Sequence, residues 1–253
     1  MPNLAFANRV YSLQNRIVRE LNNAHIFLEQ AEPLLLEAKA KYEGSKSKTD
    51  RRYYVPSVGR VKFAKRTDAE LKAIYDHYIS MGLFEAFLVN SMSQFESFLG
   101  NVLSEFFIHY PLRLTEKIQG VPPCPNITPK EVVEAPDKNQ LLQRLIREHI
   151  GSVFRQRPSV YLAYTASLIG AEQDSTFLSY YEIAATRDLV VHNSRIVNQL
   201  YLDKTGALAR GALGEQLSVD QDYYYDALAK LKKVSGAIKR DVSKKFGAAK
   251  GKV

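Results

Sequence analysis

The chain has 253 residues, 45% apolar and 25% charged, a balance that suits a folded globular protein and excludes a disordered polyelectrolyte. No apolar run approaches the roughly 20 residues needed to span a bilayer, and the opening Met-Pro-Asn-Leu-Ala-Phe-Ala-Asn-Arg lacks the charged start and apolar stretch of a secretory signal. A single cysteine, Cys124, excludes an internal disulfide or a cysteine metal cluster, so the expectation is a soluble cytoplasmic protein with no membrane contact.

The net charge of +8 is concentrated. Residues 39–66 hold ten Lys/Arg against Glu43 and Asp50, and residues 230–253 hold nine against Asp241, so the remaining body is acidic. Such a split predicts attraction to a polyanion at two defined places. The alternative is that both segments are solvated linkers or tails.

Residues 4–42 read as one long helix, with Val10, Leu13, Ile17, Leu21, Ala24 and Leu28 recurring at helical spacing and Pro33 expected to kink or split it. Residues 44–50 are a loop by composition. Tyr53 to Phe63 alternates loosely and is the one strand candidate, a short hairpin. Its aromatics lie among Arg60, Lys62, Lys65 and Arg66, a mixture able to stack on unpaired bases while holding phosphates. Thr67-Asp-Ala-Glu70 is a capping box opening the next helix. That helix carries Leu88, Met92, Phe95, Leu99, Val102 and Phe106 as a continuous seam, flanked by further phenylalanines, which places it in the middle of a bundle. Pro111 ends it. Six of the ten prolines fall in residues 111–137, an extended excursion with little regular structure. Helices are predicted near 138–150, 158–169, 174–192 and 218–246, with a loop over about 203–217. The fold class is therefore all-α: an antiparallel bundle of four to five core helices with a long N-terminal helical arm. The chain divides into an arm and basic loop (1–66), a bundle (67–246) and a basic tail (247–253).

Most enzyme chemistries lack their residues here. There is no phosphate loop ending in Lys-Ser/Thr, no His-Glu-x-x-His, no nucleophile elbow and no set of metal ligands at helical spacing, so neither a metal nor a cofactor is expected. Arginine followed by histidine near a helix end remains. Three pairs have this spacing: Arg19 with His25, Arg144 with His149, and Arg187 with His192. Only the third has Asp after the arginine (Asp188), an apolar triplet between, and a turn-prone Asn193-Ser194 after the histidine. Asp188 and His192 are four apart and share a helical face, so the carboxylate is expected to orient the imidazole. Arg187 and His192 diverge by roughly 140° on an ideal helix. The alternative reading of His192 is a structural residue capping a helix end.

Thr186-Arg187-Asp188-Leu189-Val190-Val191-His192-Asn193 resembles the Arg–His motif of the HEPN superfamily, and Phe95-Glu96-Ser97-Phe98-Leu99 is similar to that family's earlier core helix. The resemblance spans about residues 70–240. It implies a metal-independent endoribonuclease with Arg187, Asp188 and His192 catalytic and Asn193 hydrogen-bonding substrate or a dimer partner. Arg60, Lys62, Lys65 and Arg66 lie outside the resemblance and are expected to bind substrate from their charge and aromatic neighbours alone. Histidine would move the proton of a ribose 2′-OH, and arginine would hold the phosphate as charge builds. The partners implied are RNA, a second copy across a two-fold axis, and an antitoxin or phage-derived trigger. Glu96 ranks below these residues and is otherwise a solvent-facing acid. Ser194 departs from toxins that carry a modifiable tyrosine two residues after the histidine, which argues against that mode of neutralisation. The alternative function is a non-catalytic module that binds RNA or a protein.

Overall fold

The protein is described, as a computed structural model, over residues 2–49, 51–59 and 62–247. Helix α1 (Pro2–Ala40) buries Phe6, Val10, Ile17, Leu21 and Leu28, the residues whose spacing marks one face. It continues through Pro33 without a break. A proline forfeits one backbone donor, and beyond it the last turns are fastened to the next helical segment, where Lys39 Nζ lies 2.7 Å from Asp76 Oδ1. Strands β1 (Arg51–Val55) and β2 (Lys62–Arg66) pair antiparallel, with Arg51 opposite Arg66 and Val55 opposite Lys62. The predicted hairpin therefore extends past both ends of residues 53–63. Nearly every residue in it is exposed. Its base is tied down by Asp68, which accepts from Arg51 Nε at 2.7 Å and Ser45 Oγ at 2.8 Å.

Helix α2 (Asp68–His77) opens on the expected capping box: Glu70 N–H donates to Thr67 Oγ1 at 3.3 Å, and Thr67 N–H donates to Glu70 Oε2 at 2.7 Å. One π-turn, Tyr78–Gly82, leads into α3 (Leu83–His109). The α3 seam is wholly buried from Leu88 to Phe106, and this helix touches α1 and the later core helices. Tyr110 and Pro111 end it.

The proline-rich excursion contains only a single 3-10 turn, Pro111–Thr115, and the short α4 (Pro129–Glu134). Helices α5 (Lys138–Phe154), α6 (Pro158–Ile169) and α7 (Ser175–His192) follow, then α8 (Gln199–Thr205) and α9 (Gln221–Phe246). Neither α4 nor α8 was foreseen, since helices of two turns or fewer are too short to show a periodic stripe. On α9, Tyr224, Leu228, Leu231, Ile238 and Val242 are buried. One continuous core joins α1, α3, α7 and α9, so the N-terminal helix packs as part of the bundle. The fold is all-α apart from the one ribbon, and no helix among the described residues is long and apolar enough to cross a membrane. Arg60 and residues 248–253 of the basic tail lie outside the described residues. Within α9 the basic residues are partly engaged, Lys230 with Asp226 and Arg240 with Asp241.

The two other Arg–His pairs have structural surroundings. His25 lies 3.2 Å from Glu29, with its ring against Tyr225. His149 is buried, its Nε2 2.8 Å from the Tyr164 hydroxyl, and its Nδ1 has no partner. Burial lowers the pKa of His149 below its ordinary 6.5. The folded state thus holds it neutral while the unfolded chain takes up a proton, so stability falls as the pH drops below about 6.5. Urea unfolding at pH 7.5 and 5.5 should show this loss, and His149→Gln should reduce it. An unchanged pH dependence in the variant would contradict the assignment.

Candidate active site on helix α7

Helix α7 starts at Asp174, whose side chain accepts from Thr176 N–H at 2.9 Å, and it presents two functional faces. The first runs Phe177, Tyr180, Ala184, Arg187, Val191. Its first three residues are buried, and it emerges from the core at Arg187 and is exposed at Val191. The second carries Ala185 and Leu189, which form a small satellite core with Val197, Tyr201 and Leu217. The same helix therefore anchors in the main bundle on one side and supports α8 on the other.

On the first face the Arg187 guanidinium donates from Nη2 to Glu96 Oε1 on α3. Glu96 also accepts from the Tyr161 hydroxyl of α6 at 3.1 Å, and Tyr161 lies 2.7 Å from the Tyr180 hydroxyl. With Tyr161 donating to the carboxylate, Tyr180 must donate to Tyr161, giving a chain that ends at Glu96. Burial keeps both phenols protonated, with pKa values well above the ordinary range. Glu96 is thus no idle surface acid: it fixes the orientation of Arg187, whose side chain remains 21% exposed.

The second face holds His192. Beyond it the backbone turns sharply, with the N–H groups of Asn193 and Arg195 both donating to the Leu189 carbonyl, at 2.9 and 3.0 Å. Ser194 and Arg195 have φ of +50° and +66°, the left-handed region that side chains rarely adopt. The turn is held from outside by Arg195, whose Nε lies 3.0 Å from Glu85 of α3, and by Gln216, which donates to the Ser194 carbonyl at 3.1 Å. His192 itself is exposed, and its imidazole has no hydrogen bond or ion pair among the described residues. It lines a cleft of about 220 Å³ between α7 and α8, with Asp188, Asn193, Asn198, Tyr201 and Lys204. Asp188 does not bond to His192. Its Oδ2 accepts from Lys204 Nζ at 2.8 Å, and its Oδ1 lies 3.7 Å from Arg187 Nε. The carboxylate links the two faces of α7 rather than orienting the imidazole. Asn193 caps the helix and donates from Nδ2 to the Ile196 carbonyl.

The wall of the cleft depends on Glu182, whose side chain is 7% exposed. Its Oε1 accepts from Arg210 Nε and Thr186 Oγ1, at 2.8 and 2.7 Å, and from the Tyr201 hydroxyl at 3.2 Å; its Oε2 accepts from the Tyr223 hydroxyl at 3.0 Å. The Arg210 guanidinium also sits 3.5 Å above the Tyr223 ring. One carboxylate therefore joins α7, α8, α9 and the loop after α8.

Lys62, Lys65 and Arg66 lie on β2 of the exposed ribbon, which pairs with β1 and packs against α2. Sequence reasoning ranked Glu96 low and missed Lys204 altogether. The similarity of the Phe-Glu segment was the only signal for the first; the second sits on a helix too short to carry one. No group of three or more His, Cys, Asp or Glu among the described residues is placed to hold a metal ion. Compared with family models, curated proteins and solved structures, the chain matches none.

Removing the Glu182 carboxylate leaves Arg210 and two buried tyrosines without their acceptor. Glu182→Ala should destabilise the protein by about 3–5 kcal/mol in denaturant unfolding. A loss below about 1 kcal/mol would show that the cluster does not hold the cleft wall.

Proposed function

We propose that this protein is a metal-independent endoribonuclease of the HEPN type, acting as a homodimer and serving as a toxin or abortive-infection effector under an antitoxin or phage-derived trigger. The observation that carries the reading is the contrast at the end of α7: His192 is exposed and unpartnered, while Arg187, five residues earlier, is held in place by Glu96. An exposed histidine with no bonded partner among the described residues and a fixed planar cation are the two groups that 2′-OH attack requires.

In that reaction the ribose O2′ bonds to phosphorus as its proton passes to an imidazole, and the P–O5′ bond breaks. The leaving 5′-oxygen takes a proton from a second imidazole, leaving a 2′,3′-cyclic phosphate and a 5′-hydroxyl. DNA has no 2′-OH and is not a substrate. A second copy supplies the second imidazole, and it also resolves the divergence of Arg187 and His192 around one helix. His192→Ala and Arg187→Ala should each abolish RNA cleavage in EDTA while the helical circular dichroism spectrum stays unchanged. Persistent cleavage in both would overturn the reading.

One observation favours a second reading, a non-catalytic RNA-binding module. Arg187 already has Glu96 and Asp188 for company, whereas the ribbon presents exposed Tyr54 and Phe63 among Arg52, Lys62, Lys65 and Arg66, with the Arg52 guanidinium 4.9 Å from the Phe63 ring centre. This reading predicts salt-sensitive RNA binding without products. Changing Lys62, Lys65 and Arg66 together to Ser should weaken binding at least tenfold in a filter or anisotropy titration. Retained affinity would remove the ribbon from the RNA path.

A further inference from the structure

We infer that the cleft between α7 and α8 is a phosphate subsite and that Lys204 is the cation that fills it. The inference rests on the ribonuclease reading only for the identity of the phosphate, which there is the one flanking the cut in an RNA strand. The argument for an anion is local. His192, Asn198 and Lys204 share the cleft, and each has donor capacity left over. Asn198 Oδ1 is committed to Tyr201 N–H, which it accepts at 2.9 Å, leaving its Nδ2 hydrogens without a partner among the described residues. Lys204 Nζ donates to one carboxylate oxygen and retains two further hydrogens. The His192 imidazole has no partner at all among the described residues.

The one acid in the cleft, Asp188, does not contradict this. Its two oxygens face Lys204 and Arg187 separately, so a phosphate that drew Lys204 away would leave the carboxylate beside Arg187. The volume of about 220 Å³ admits a phosphate and part of a sugar, and excludes a whole dinucleotide. The Lys204 side chain is 18% exposed, lines the cleft and has its Nζ 2.8 Å from Asp188 Oδ2. Arg187 is not among the residues lining this space. Within one chain, therefore, the cation that accompanies His192 is Lys204, while Arg187 faces the α3 side with Glu96.

The test uses the full-length protein and two probes, inorganic phosphate and uridine 3′-monophosphate, followed by the proton resonance of the His192 ring carbon, assigned by its loss in His192→Gln. Both probes should shift that resonance in the wild type. Lys204→Gln should weaken the apparent affinity at least tenfold, and Lys204→Arg should restore it to within about threefold. Asp188→Asn releases Lys204 from its competitor and should tighten binding severalfold. If Lys204 merely pins α8 to α7, Asp188→Asn would loosen the cleft and weaken binding instead, and that result would overturn the inference. So would equal affinity in the wild type and Lys204→Gln, or, should Lys204→Gln not fold, in the wild type and Asp188→Asn. Cleavage assays on the same proteins separate the two ideas. Lysine-dependent phosphate binding in a protein that cuts no RNA would sink the ribonuclease reading and leave the subsite standing. His192-dependent cutting with an unaltered Lys204→Gln would do the reverse.

Discussion

A carboxylate taken out of water must be surrounded by donors, because the loss of hydration is otherwise larger than any gain from packing. Glu182 meets that requirement by drawing on four parts of the chain: Thr186 beside it on α7, Tyr201 on α8, Tyr223 on α9, and Arg210 in the loop after α8. The arrangement is demanding. None of these groups can move far without leaving a buried charge or hydroxyl unpaired. A seven-residue helix such as α8 has little stability of its own, and this cluster, with the satellite core of Leu189, Val197, Tyr201 and Leu217, gives it a fixed position. The cleft containing His192 exists because α8 is held there.

The same principle explains why α7 ends in an ordered turn without fraying. Its first half is embedded beside α3 and α9, where Phe177, Tyr180 and Ala184 have no exposure. Its last turn is closed by two left-handed residues that a free chain would avoid, kept in place by Arg195 against Glu85 and by the Leu217 N–H, which donates to the Arg195 carbonyl at 3.0 Å. The result is a rigid platform whose final residue, His192, has no bonded partner among the described residues. Rigid support beneath an uncommitted side chain is what the proposed proton-transfer role requires.

Charge is distributed with the same economy. Glu96 and Asp188 sit against Arg187, and Asp188 also holds Lys204, so an alternating string of acids and bases runs from α3 across α7 to α8. Each member is partly open to solvent, where such pairs add little stability. Their value lies in orientation and in the option of exchanging a carboxylate for a phosphate. The exposed ribbon is a separate basic surface, joined to the body through Asp68 at its base.

Much of the helical framework was legible in the sequence. The α3 seam from Leu88 to Phe106, the apolar face of α9 and the capping box at Thr67 specify local structure through spacing alone, and each is present. The hairpin was also legible, because alternation is as local as helical periodicity. Pro33 does not split α1, since one lost backbone donor is not enough to interrupt a long helix. At the site, the sequence by itself determined that Arg187, Asp188 and His192 share a helix end and which faces they occupy. Only the tertiary structure decided their partners: Glu96 for Arg187 from 91 residues away, Lys204 for Asp188 from 16, and Arg210 for Glu182 from 28. The physical reason is that a helical period states which face of a helix is apolar but not which helix will cover it. An ion pair between two helices leaves no spacing in either one.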